Sequence, residues 1–136
     1  IEAKNLQSFI DSTTKYTFTP ESVQYFLILY KIGSVNTPDL INRLKGYNNV
    51  NFNSDSLLVK NGNIDLTYQY ILVSPFDNKN EAMNYYVSVM NEQGILDEYD
   101  PSKVQFFVIS QDNLTQLARS KNIPAYALFF QKNYLQ

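Results

Sequence analysis

The chain has no cysteine and no histidine among its 136 residues. Without thiols there can be no disulfides and no cysteine nucleophile, and without either residue no Cys/His zinc site. Without imidazole there is no histidine-based triad and no histidine-ligated haem. Glycine is scarce as well: Gly33, Gly46, Gly62 and Gly94 each stand alone, so no glycine-rich loop is available to cradle a phosphate. No apolar run approaches the roughly 20 residues that span a bilayer, and no basic, apolar, small-residue series marks a signal peptide. The eleven Lys and Arg occur singly from Lys4 to Lys132 without forming a basic patch. With a formal charge of −2 and a pI near 5.0, the chain has no general attraction for nucleic acid or anionic lipid. It begins at Ile1 without a Met and reads as part of a longer or processed protein, so missing targeting signals do not describe the parent.

What remains is an ordinary globular composition, 44% hydrophobic and 18% charged, sized for one domain. Residues 1–19 show weak helical spacing at Leu6, Phe9 and Ile10 and then turn to Thr, Ser and Lys, which suggests a linker or arm. The domain proper is expected over residues 20–136.

"SVQYFLILYKI" predicts a strand buried on both faces. "NTPDLINRLKGY" predicts a helix capped by Thr37, opened by Pro38 and Asp39, buried through Leu40, Ile41 and Leu44, and stopped at Gly46. "LLVKNGNIDLTYQYILV" predicts a hairpin turning at Asn61-Gly62. In "SPFDNKNEAMNYYVSVMNEQG", Asn78 and Glu81 have capping-box spacing, Ala82, Tyr85, Tyr86 and Val89 share a face, and Gly94 marks the end. "KVQFFVIS" predicts a fourth strand. Ser110 then caps a short helix with Leu114, Leu117 and Ala118 inward, and Pro124 opens another.

This order predicts an α+β domain of the split βαβ, or ferredoxin-like, kind: a four-stranded antiparallel sheet with two helices on one face and further C-terminal helices. Neither the first nor the fourth strand has a polar side, so the second sheet face needs a cover. The C-terminal helix, the N-terminal arm and a partner chain are all candidates.

Catalytic signals are weak. Asp97, Glu98 and Asp100 form a local carboxylate cluster without calcium-loop spacing, so a solvated loop is the simpler reading. The thirteen acids are otherwise dispersed, leaving only spatial convergence as a route to paired-carboxylate chemistry. Tyr68 and Tyr70 invite comparison with RNA-stacking sheets, but no Lys, Arg or Gly flanks them in "LTYQYILV". The residues predict no enzyme, no metal, no cofactor and no nucleic-acid partner.

Three stretches carry a resemblance: "QYFLILY", "ILVSPFDNKNEAMNYY" and "FFVISQDNLTQLARSKNIPAYALFFQKNY". From about residue 20 onward the chain resembles the C-terminal domain of large tetratricopeptide-repeat proteins of Bacteroidetes, including envelope lipoproteins associated with type IX secretion and gliding motility. That resemblance implies a non-catalytic module in the periplasm or cell envelope of a Gram-negative bacterium, working with envelope protein partners. The pattern of strand, "SPF.N...A", helix and glycine is also similar to sporulation-related repeat domains. It implies, as the alternative, binding of peptidoglycan glycan strands on the sheet face. The expected interaction surface is Tyr68, Tyr70, Tyr126, Phe129, Phe130 and Tyr134, with Tyr68 or Tyr70 lining the groove in the glycan reading.

Overall fold

A computed structural model describes residues 15–135. The helical spacing expected at Leu6, Phe9 and Ile10 lies outside the described residues. The elements run β1 (Gln24–Lys31), α1 (Thr37–Asn51), a 3₁₀ turn (Asn53–Asp55), β2 (Leu58–Asn63), β3 (Tyr68–Phe76), α2 (Lys79–Asn91), β4 (Val104–Ser110), α3 (Gln111–Ser120) and α4 (Ile123–Asn133). The sheet has the order β2-β3-β1-β4, and every neighbouring pair is antiparallel. With a helix between β1 and β2 and another between β3 and β4, this is the ferredoxin-like arrangement.

Register separates the two faces. Leu27 pairs with Leu72 and Phe107, while Ile28 pairs with Ile71 and Phe106, so alternate residues of β1 head opposite sheet faces. Phe26 meets Tyr85 of α2 at 5.3 Å between ring centres, and Tyr30 bonds Thr37 of α1. The even-numbered residues of β1 therefore look into the layer of α1 and α2. Phe26, Ile28, Tyr30, Ile71 and Val73 are fully buried there.

Local chemistry fixes the helix starts, with two shifts from the sequence reading. Asn36, and not Thr37, caps α1 by accepting from the Asp39 N–H, which frees the Thr37 hydroxyl for Tyr30. Gly46 does not stop α1, which continues to Asn51 because Tyr47 and Asn48 beyond it are core residues. Burying them outweighs the roughly 1 kcal/mol that a helical glycine costs. In α2, Asn78 accepts from the Glu81 N–H as expected, while the Glu81 carboxylate accepts from Asp77, one residue earlier than a capping box requires. The helix ends at Asn91, and Gly94 takes its positive φ in the turn that follows.

The hairpin also turns later than expected. Asn61 and Gly62 lie inside β2, and the reversal is built on Asp65, whose carboxylate accepts the N–H groups of Thr67 and Tyr68. Gly62 is needed for a different reason: Tyr70 lies across it, and a Cβ there would come 2.6 Å from the tyrosine oxygen.

Ser110 caps α3 and Leu117 is buried as expected, but Ala118 faces solvent and Asn113 is buried in its stead. The reason is residues 15–19. The Asn113 amide bonds both the N–H and the carbonyl of Thr17, and the rings of Tyr16 and Phe18 pack on Tyr126 and Tyr134. This end of the segment read as an arm is a strap on the C-terminal helices.

Candidate interaction site

Of the six residues expected to offer contact surface, three belong to the core. Tyr126, Phe130 and Tyr134 are 0%, 3% and 5% exposed, so the expectation that they meet a partner is corrected. Helix α4 lies along the outer edge of β4. Phe130 touches Phe107 from the second sheet face and Tyr86 of α2 from the first, while the Tyr126 hydroxyl donates to the Val108 carbonyl. The Tyr134 hydroxyl donates to Gln24, a fully buried amide whose nitrogen reaches the Thr19 and Ser22 carbonyls. Burial pushes the Tyr126 phenol well up and that of Tyr134 up to about 12, so both stay protonated and bonded at neutral pH. Phe129 is half-buried between Tyr16 and Tyr126. Only Tyr68 and Tyr70 remain on sheet surface, both half-buried.

The second sheet face is thus covered unevenly. Over β4 and β1 it is closed: Leu27, Leu29, Phe107 and Ile109 are between 0% and 4% exposed. Over β3 and β2 it opens, with Leu72 half-buried and Leu58 at 54% exposure.

Two surface depressions follow from this packing. One, of about 610 Å³, lies between α2, the 96–101 loop, the edge of β4 and α4; Tyr86, Met90, Phe106, Phe130 and Leu135 supply most of its apolar wall. It is not legible in the sequence, because its residues belong to four segments brought together by the fourth strand's edge. The other, of about 630 Å³, sits at the opposite end of α4, where Tyr68 and Gln105 of the second sheet face meet the α3–α4 turn.

The acids of the 97–100 loop are committed to structural partners. Asp97 accepts from the Gly94 N–H, Glu98 pairs with Arg43 at 3.0 Å, and Asp100 accepts from Ser102. The loop that offered a calcium reading is held together by its own acids and by Arg43, which also reaches Asp39, Tyr99 and the carbonyls of Gly94 and Ile95. Asp55, Asp77 and Glu81 do share a cleft of about 300 Å³, yet among the described residues no three acidic groups are placed to hold a metal ion. Two acids are displaced, both downward: Asp65 by the N–H groups of Thr67 and Tyr68, and Asp100 by Ser102. The displaced tyrosines Tyr16, Tyr30, Tyr85, Tyr86, Tyr99, Tyr126 and Tyr134 move upward through burial. Neither direction brings a group toward neutrality, where an acid or base catalyst works best.

In comparisons with protein-family models, curated proteins and solved structures, no match was found. Among the described residues no helix is long and apolar enough to cross a membrane.

Proposed function

We propose that the chain is a non-catalytic protein-interaction domain of a larger bacterial cell-envelope repeat protein, facing the periplasm, which docks an apolar segment of a protein partner. One observation carries this reading: the groove beside β4 keeps Tyr86, Met90, Phe106 and Leu135 accessible after every described helix has packed. A concave apolar wall with a polar rim is the usual form of a docking site. The resemblance to Bacteroidetes repeat proteins supplies the envelope context, with type IX secretion or gliding as the setting.

The test is capture from envelope extract of a Bacteroidetes species on immobilised domain, comparing the native chain with Met90→Asp and Leu135→Asp. Leu135 is exposed and Met90 half-buried, so unfolding midpoints of both variants are first compared with that of the native chain. A defined partner lost in both variants supports the groove; a partner retained in both overturns it.

Glycan-strand binding is the second reading, favoured by Tyr68 and Gln105 standing in an open cleft, where a ring and an amide can meet a sugar. Co-sedimentation with peptidoglycan, lost in Tyr68→Ala and kept in Met90→Asp, would put this reading first.

A further inference from the structure

The cleft at the α3–α4 turn has a charge that the rest of the molecule does not predict. Lys31 ends β1, Lys103 precedes β4, and Lys121 closes α3, and all three line the same depression with no carboxylate in its wall. They are three of only eleven cations in a chain of net charge −2. Register explains how they meet: Lys31 pairs with Tyr68 on β3, and Leu29, two residues earlier on the same sheet face, pairs with Gln105 on β4.

None of the three makes an ion pair among the described residues, where the pairs formed are those of Arg43. Lys121 and Lys103 act through space on Asp65 and Asp100. Both acids are already committed, to the Thr67 and Tyr68 N–H groups and to Ser102. Lys121 also holds a positive φ of 57°, where glycine or asparagine is the usual helix-ending residue. Three exposed like charges around one depression, none of them in an ion pair, give it a local positive potential that favours an anion.

The form of the anion follows from the walls. Lysine supplies point charges that attract carboxylate and phosphate alike. A phosphate site would usually add a row of N–H groups, which the start of α4 does not offer, since Pro124 has none and the Asn122 side chain takes that of Ala125. Opposite the lysines, Pro124, Ala127 and Leu128 form an apolar side.

We propose that this cleft binds a small carboxylate-bearing ligand, its acid groups met by Lys31, Lys103 and Lys121 and its apolar body resting on Pro124, Ala127 and Leu128. The cleft adjoins the groove beside β4, with Gln105 and Ala127 in both walls, but its three lysines lie outside that groove.

The experiment is a titration of the isotope-labelled chain with citrate, and in parallel with inorganic phosphate at matched ionic strength, following amide resonances. Saturable shifts at Lys31, Tyr68, Lys103, Gln105 and Lys121 in the millimolar range or tighter are expected. Affinity should fall about tenfold or more in the triple variant K31Q/K103Q/K121Q and stay unchanged in K45Q/K60Q/K132Q, which alters net charge equally. Lys121→Gly relieves the positive φ while removing one amine, so weaker citrate binding in that well-folded variant cannot be ascribed to unfolding. The proposal is overturned by shifts that never saturate, by equal losses in both triple variants, or by phosphate binding more tightly than citrate.

Discussion

The two faces of the sheet solve the same burial problem by different means. On the first, α1 and α2 come from the crossovers of the fold itself, and Phe26, Tyr85, Tyr86 and Phe106 form one aromatic layer beneath them. On the second, nothing in the four-stranded arrangement supplies a cover, and the chain adds α3, α4 and a strap from residues 15–19. These additions reach from β4 across β1 and stop short of β3 and β2. A sheet face without its own crossover helices is closed only as far as the appended chain extends.

The sharpest way to break this comparison is to remove one ring from each face. Phe26→Ala and Phe107→Ala should each cost about 3–5 kcal/mol, read from denaturant midpoints at constant slope. Phe107 is 4% exposed and packs edge-on against Tyr126 and Phe130. A loss below about 1 kcal/mol at Phe107 would show the second face to be loosely covered even over β4.

Alkaline pH should sharpen the contrast next. The Tyr134 phenol ionises near 10.0 when unfolded and only at about 12 in the fold. The stability it contributes is therefore complete below pH 10 and is lost as the pH rises toward 12, at up to about 1.4 kcal/mol per pH unit for each such group. Tyr126 and Tyr85 add to the same slope, since burial raises both. Ultraviolet titration of tyrosinate should show a late wave from the buried rings that coincides with unfolding.

Smaller changes test the strap. Tyr134→Phe leaves the buried Gln24 carbonyl without its donor and should cost about 1–2 kcal/mol. Asn113→Ala should cost a similar amount and raise hydrogen exchange at Thr17 first, since both of that residue's backbone bonds go to the Asn113 amide. The smallest effect belongs to the open half, where Leu58→Ser should stay within about 0.5 kcal/mol in the same unfolding experiment. A larger loss would mean that β2 carries more of the core than its exposure indicates.

The element order was legible because "QYFLILY" and "FFVIS" are short, dense β-branched and aromatic runs, unlike the helical stripes between them. Side-chain signals that act on immediate neighbours also held, as at Asn78 and Ser110. Glycine misled twice, at Gly46 and Gly62, because there it answers to distant partners: the buried Tyr47 and Asn48 beyond the one, the ring of Tyr70 above the other. The aromatic ending was read as surface because a single chain cannot show that β4 has a free edge for α4 to close. The lysine cleft was illegible for a related reason, since Lys31, Lys103 and Lys121 are far apart in sequence and only the strand order unites them.

The strap has a mechanical consequence. Tyr16 sits on Tyr126 and Phe129, Thr17 is clamped by Asn113, and Phe18 shares the Lys79 ammonium with Tyr134. Tension applied at residue 15 would be carried first into α3 and α4, ring by ring, before it loaded the hydrogen bonds of β1. The sheet is in this way insulated from a pull at residue 15, as a hull is from a mooring line led over a cleat.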